Sequence, residues 1–301
     1  MIAMMGAAGN VGSKVADLLL RAGEDVRALQ HTRELDELRE RGAQVVAGDA
    51  MNVEDLRAFF DGALSALVLL PENVADRAFV ENRAAMSRVI VDALRASGVS
   101  HVVALSTVGA ALADAPGPPG GLHEFERDLR ELEAVNVLML RSAAYMDYLL
   151  LSLPMIRAQK LNGSAVEAEV RFPMVATQDV AQEAAERLVR RDFTGHEVRL
   201  LLGPEDVSMG EATRAIGARL GMPDLPYVQF PPQDVKGALI GAGMSEQVAG
   251  LLVDQQLALN EGRYFEGVRR TPETTTPTRL EDFVAQALPE DAAMDEKERR
   301  R

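Results

Sequence analysis

The chain opens on Met1-Ile2-Ala3-Met4-Met5-Gly6-Ala7-Ala8-Gly9-Asn10-Val11-Gly12, an apolar run of strand length that turns through three glycines spaced three apart. Beyond it, Ser13 to Arg21 carries Val15, Leu18, Leu19 and Leu20 on one side and reads as an amphipathic helix. A strand, a glycine turn and a helix in that order form a cradle for a pyrophosphate. Gly6 lets the chain leave the strand sharply. Gly9 lets backbone N–H groups approach phosphate oxygens without an intervening Cβ, and Gly12 lets the helix pack closely on the strand. The positive end of the helix, around Ala8, Asn10 and Val11, then faces the anion. Glycines at this spacing occur in many loops, so the flanking strand and helix are what give the triplet its meaning.

Strand and helix signals keep alternating outward from this turn. Gly23 stops the first helix, and Asp25 to Leu29 reads as a second strand. A charged helix from Arg33 to Arg41 ends at Gly42, Gln44 to Asp49 is a third strand, and Val53 to Phe60 a helix. Ala63 to Leu70 is an apolar fourth strand stopped by Pro71, and a helix from about Arg77 to Ser97 leads to a fifth strand, Val102 to Ser106. A loop rich in proline and glycine, 115–121, precedes a helix from His123 to Ala134 and a sixth strand, Val137 to Leu140. Strands apolar almost throughout imply a parallel sheet covered on both faces. The expected fold is therefore α/β, a Rossmann-type doubly wound parallel sheet with its ligand at the carboxyl ends of the strands.

After about residue 150 the alternation is less regular. Val198 to Leu202 and Tyr227 to Phe230 read as strands, and Ser208–Leu220, Asp234–Ile240, Ser245–Asn260 and Thr278–Ala287 as helices. The pattern divides the chain into a dinucleotide-binding domain, 1–150, and a smaller C-terminal substrate subdomain, 151–290, which partly shares the sheet. A charged tail, 291–301, follows.

Composition excludes several function classes. With 301 residues, 47% of them hydrophobic and 26% charged, the chain has material for a large core. A formal charge of −14 argues against a nucleic-acid surface, which needs a basic stripe to displace counterions. The absence of cysteine excludes thiolate nucleophiles, zinc–thiolate sites and disulfides. No apolar run approaches a bilayer span and no signal peptide is visible, so a cytoplasmic protein without membrane contact is expected. His101 and His196 lack partner spacing for a metal, and both read as structural.

In the order and spacing of its motifs the chain resembles the NmrA-like branch of the atypical short-chain dehydrogenase/reductases. The markers run from Gly6–Gly12 through Gly48-Asp49-Ala50, Leu105-Ser106-Thr107-Val108-Gly109-Ala110 and Leu140-Arg141-Ser142. They continue with Tyr145-Met146-Asp147-Tyr148, Ala176-Thr177-Gln178-Asp179-Val180-Ala181, Leu202-Gly203-Pro204-Glu205-Asp206 and Thr274-Thr275-Thr276-Pro277-Thr278. The resemblance implies NAD(P)H binding, with Asp49 and Ala50 at the adenine, Leu70 and Pro71 as a wall, and Ser106, Thr107 and Ala143 near the nicotinamide ribose. It also implies one of two activities, reduction of a quinone-type acceptor or service as a regulator. Two positions depart from the family pattern: His31 stands where a basic residue is usual after the second strand, and Tyr145 with Asp147-Tyr148 replaces a Phe and Glu-Asn pattern.

The residues bear on the chemistry directly. Gln30-His31-Thr32-Arg33 offers no carboxylate for a ribose 2′-hydroxyl but two groups that could hold a 2′-phosphate, which favours NADP(H) over NAD(H). None of Tyr145, Tyr148, Tyr227 and Tyr264 is followed four residues later by lysine, so the tyrosine–lysine proton relay of classical relatives is missing. His123 stands at the corresponding place, with Arg127 on the same helix face. It is either a catalytic proton donor or a helix-start residue bonded to backbone. Reduction of a planar conjugated carbonyl, a quinone or polyketide-derived aromatic, asks little beyond holding the acceptor over the nicotinamide, because the hydroquinone product protonates readily. Tyr145, Met146 and Tyr148 either wall such an acceptor or pack the interior. Ser106 and Thr107 either meet the ribose or satisfy local backbone, Asp49 either meets adenine or caps the next helix, and Arg141 reads as a structural ion pair. A dinucleotide-binding redox sensor without turnover is the alternative to a reductase, and a non-redox enzyme that keeps the cofactor for structure is a third reading.

Overall fold

The structure, a computed structural model, describes residues 1–31 and 34–289. Strands and helices alternate through β1 (Ile2–Met4), α1 (Gly12–Arg21), β2 (Val26–Gln30), α2 (Asp36–Glu40), β3 (Gln44–Ala47) and α3 (Val53–Phe60). The series continues with β4 (Ser65–Val68), α4 (Phe79–Ala96), β5 (His101–Thr107), α5 (Pro119–Leu129), β6 (Asn136–Ser142), β7 (Ala144–Tyr145) and α6 (Leu153–Gln159). The remainder is β8 (Asn162–Ser164), β9 (Arg171–Val175), α7 (Thr177–Arg190), β10 (His196–Leu201), β11 (Asp206–Ser208) and α8 (Met209–Arg219). After these come β12 (Tyr227–Gln229), α9 (Pro232–Gly241), α10 (Glu246–Asn260) and α11 (Leu280–Ala287).

Seven of the strands form one parallel sheet in the order β10-β6-β5-β4-β1-β2-β3. This is the Rossmann-type doubly wound arrangement. Its strand order reverses between β1 and β4, so the glycine turn leaving β1 lies at the switch point where such sheets bind ligands. Each face carries a core. One is made by Ile2, Met4, Val15, Leu19 and Leu140 with Val180, Ala181, Ala184 and Leu188 of α7. The other is made by Leu56, Phe59, Phe60, Ile90, Leu94, Phe125 and Leu129 from α3, α4 and α5. The smaller sheet β11-β9-β7 joins α6, α8 and α11 around a third core that includes Met146, Ile156, Phe172, Ile216 and Phe283, while α9 and α10 pack Val235 and Val253 with Ala165, next to β8 of the sheet β12-β8.

Five elements that the sequence reading did not name are present, α6, β7, β8, β9 and β11, and three further outcomes differ from it. α5 starts at Pro119, four residues before His123, because proline in a first helical turn has its φ already set and no N–H to lose. It stops at Leu129, where i→i+3 bonds such as Glu131 N to Asp128 O and Leu132 N to Leu129 O tighten the chain into turns instead of carrying the helix to Ala134. The less regular stretch after residue 150 contains α7, whose buried positions 180, 181, 184, 185 and 188 follow the helical period. Its partner β10 pairs with β6 across all six residues, so chain from both sides of residue 150 builds the main sheet. Finally, Asn52 caps α3 by accepting from the amides of Glu54 and Asp55, the role the sequence reading held open for Asp49 as the alternative to an adenine contact.

Candidate functional site

At the switch point the glycine turn is folded tightly. Gly6 has φ +67°, and a Cβ there would lie 2.5 Å from Leu69 Cδ2. A Cβ on Gly12 would lie 2.1 Å from the Gly6 carbonyl oxygen, closer than any atom can be. Gly9 N donates to Gly6 O at 2.8 Å, and Ser13 N to Gly9 O at 2.9 Å, which leaves Gly9 and Asn10 exposed at the tip. Behind them α1 begins without a side-chain cap and without an acidic residue in its first turn. The apolar side chain of Val11 is buried, so this residue faces a ligand only through its backbone. An uncapped, carboxylate-free helix start behind a turn that excludes side chains suits a pyrophosphate, and these residues fit that of a pyridine dinucleotide.

On the adenosine side, His31 is exposed at the end of β2, its Nε2 3.8 Å from Asp49 Oδ1. Asp49 closes a local turn by accepting from Met51 N at 2.9 Å, and its own amide donates to Asp55 Oδ2. Ala50 is buried in the second core. Arg33, expected at a 2′-phosphate, lies outside the described residues. Leu70 is buried in the second core and Pro71 is exposed, so the side chain against the turn is that of Leu69. Both residues lie just past the end of β4, where the chain turns Leu70 into the core and Leu69 to the glycine turn.

At the other end of the site, a buried carboxylate organises α5, β5 and β6. Glu126, only 1% exposed, accepts from Arg141 at two oxygens (2.8 and 2.6 Å), from Ser106 Oγ at 2.6 Å and from Arg130 at 3.1 Å. Arg141 is thus a structural ion pair, and the hydroxyl of Ser106 is turned into the protein. Thr107 Oγ1 donates to Ser142 O at 3.2 Å, and Ala143 is buried with its amide on Leu201 O. His123 is partly exposed one turn inside α5. Its Nδ1 lies 2.9 Å from Ala110 O, and since a carbonyl only accepts, Nδ1 is the donor of that bond. Arg127 is exposed and bound to Asp128, so it does not join His123.

β7 and the turn after it carry the two tyrosines expected at an acceptor. The rings of Tyr145 and Tyr148 lie 5.6 Å apart at 50°, with Tyr148 half exposed. Burial, and the negative charges of Glu72 and Asp147, push the Tyr145 phenol above its ordinary pKa despite a hydrogen bond with Ser142. It stays protonated and cannot serve as a base at neutral pH. Met146 is fully buried in the third core, so it packs the interior rather than a pocket. Asp147 accepts from Thr177 N at 3.1 Å and Thr177 Oγ1 at 2.6 Å. Lys14 Nζ reaches Thr177 Oγ1 at 2.7 Å, Asp147 Oδ1 at 3.4 Å and Asn10 O at 2.9 Å. This network ties the glycine turn to the segment that carries the tyrosines.

Lys14, Leu69 and Glu126 are the site residues that sequence reasoning missed. Only Glu126 carries a signal, an acid beside Phe125 on the apolar face that Leu129 continues. Elsewhere, His101 is packed edge-on to Phe193 at 5.1 Å and His196 Nε2 lies 3.3 Å from Leu132 O, both structural placements. Among the described residues no group of His, Asp and Glu is placed to hold a metal ion, and no helix is long and apolar enough to cross a membrane. A cavity of about 140 Å³ between Arg171, Phe172, Asp206, Phe265 and Arg270 belongs to the smaller sheet and includes none of the candidates.

Residues 1–288 match the model of the NmrA-like family. The chain belongs to that family. No curated protein matches the sequence. Among solved structures, this NmrA-like chain superposes on the NADPH-dependent quinone oxidoreductase of Escherichia coli with NADPH. The TM-score is 0.79 at 21% identity, over 95% of this chain and 99% of that one. It superposes likewise on the triphenylmethane reductase of Citrobacter sp. complexed with NADP(H) (0.80, 20%, over 96% and 100%). A third similar structure is NmrA, a negative transcriptional regulator, in complex with NADP (0.70, 17%, over 98% and 97%). Family markers far apart in the NmrA-like sequence meet here: Asp179 of α7 accepts from Thr278 N at 3.0 Å and Thr278 Oγ1 at 2.7 Å, and Gln178 donates to the same hydroxyl.

Proposed function

We propose that this protein is an NAD(P)H-dependent reductase of a planar conjugated carbonyl, a quinone or polyketide-derived aromatic. The observation that carries the proposal is the uncapped start of α1 behind the Gly6–Gly12 turn, opening beside a tyrosine wall at the same sheet edge. When bound, the nicotinamide supplies a hydride to the acceptor. A quinone that takes the hydride becomes the hydroquinone anion, and one proton completes the product. The residues bind, orient and exclude water. Backbone around Gly9, Asn10 and Val11 holds the pyrophosphate, Tyr145 and Tyr148 hold the acceptor, and His123 Nε2 offers a proton or hydrogen bond. Because Tyr145 is held protonated and His123 is anchored at Nδ1, catalysis rests more on positioning than on a relay. His31 and Arg33 favour NADPH, in keeping with the NADPH and NADP(H) complexes of the two similar reductases.

The test is oxidation of NADPH and NADH by the purified protein with a panel of quinones, enones and aromatic ketones, followed by stopped-flow absorbance. His123→Phe lowers kcat by about 10²–10⁴-fold if the imidazole donates the proton. A loss of no more than ~10-fold, mainly in KM, assigns it to shaping the pocket. Tight NADPH binding with no oxidation by any acceptor sinks the reductase and leaves the sensor, a reading favoured by the structural likeness to a transcriptional regulator.

A further inference from the structure

Arg83 is a buried charge that the nucleotide and acceptor contacts above leave unused. It lies one turn into α4 and is only 4% exposed. Its guanidinium sits 5.0 Å over the Phe79 ring, and Nη1 donates to Pro118 O at 3.3 Å. Nε is buried without any partner. Among the described residues no carboxylate pairs with it. An arginine cannot relieve burial by giving up its proton, so a guanidinium removed from water calls for an anion. Its surroundings belong to the start of α5, the helix that carries His123. Pro118 and Gly121 bracket the start of α5 just before His123, and a Cβ on Gly121 would lie 3.7 Å from Arg83 Nη1. The charge of Glu72, exposed in the segment after β4, acts on Arg83 and also on Tyr145 and Tyr148.

We infer that Arg83 is an anion-recognition residue of the acceptor pocket, and that the acceptor carries an ionised oxygen, a carboxylate or an acidic ring hydroxyl, which binds its guanidinium. The inference rests on the reductase reading for the place of the acceptor, but its test needs no turnover. Three probes are titrated calorimetrically into the full chain loaded with NADP⁺. One is 1,4-naphthoquinone, one is the same ring bearing a carboxylate, and one is the same ring bearing an ionised hydroxyl. At least one anionic probe should bind about tenfold or more tightly than the neutral ring, as expected of a hydrogen bond to a charged group. Whichever anion prevails names the source of the charge.

Arg83→Met should erase the preference while NADP⁺ binding persists, and Arg83→Lys should keep part of it. Glu72→Gln, at the surface, should strengthen it by removing a competing negative charge. Equal affinity for all three probes, or an unchanged preference in Arg83→Met, overturns the inference. If Arg83→Met fails to fold, Glu72→Gln decides, and no change there overturns it equally. Anion preference without NADPH oxidation by any of these rings would retain this site and remove the reductase. Oxidation of all three at equal KM would do the reverse.

Discussion

Gly9 and Gly12 sit three residues apart in one turn, yet a side chain at each would meet quite different surroundings. At Gly12 a Cβ meets the Gly6 carbonyl at 2.1 Å, and backbone cannot step aside. At Gly9 the nearest atom to a Cβ is the same oxygen at 3.2 Å, and the residue is exposed. The two positions therefore separate folding from binding. Gly9→Val should leave the melting temperature within about 5 °C of wild type, as a surface change does. Its affinity for NADPH should fall by more than about tenfold, because the branched side chain stands where the pyrophosphate approaches. Gly12→Ala should cost more than about 3 kcal/mol in urea unfolding. If Gly9→Val binds NADPH undiminished in calorimetry, the pyrophosphate lies elsewhere. The glycine spacing was legible in the sequence. The spacing also assigned packing to Gly12 and access to Gly9, and the distances show how little room each position leaves.

Between elements, the decisive contacts are made by side chains that the chain order keeps far apart. α7 starts at Thr177 with no cap of its own, and Asp147 reaches it from the turn after β7. Asp147→Ala should then cost about 1–2 kcal/mol, the worth of a helix cap, with the urea m-value unchanged. Asp147→Asn keeps an acceptor oxygen and should lose less. Equal stability of wild type and both variants would show that the contact contributes nothing. Nothing in Tyr145-Met146-Asp147-Tyr148 marks Asp147 as a remote cap, because capping signals are local and this one spans thirty residues. Met146 shows the same limit. Beside two tyrosines it reads as wall, but the path of the backbone from β7 turns it into the third core.

Across the whole molecule, the main sheet depends on chain from both halves. β10 pairs with β6, and α7 covers the face that holds Ile2, Met4 and Val15. A fragment of residues 1–150 would expose that apolar face along its length. It should show no cooperative thermal transition by circular dichroism, whereas the intact chain melts in one. A fragment that melts cooperatively would show that the dinucleotide half folds alone.

The sequence by itself determined the glycine turn, the run of parallel strands and most helix boundaries. These rest on periodicity, capping residues and glycine spacing, all of which act over a few neighbouring positions. Tertiary structure decided which hydroxyls and charges face the cleft. Ser106 turns to Glu126, Arg141 locks beneath it, Leu69 rather than Leu70 meets the turn, and Arg83 is buried with its Nε unpaired among the described residues. Each outcome depends on the direction of a side chain relative to elements distant in sequence, and local spacing carries no information about that direction.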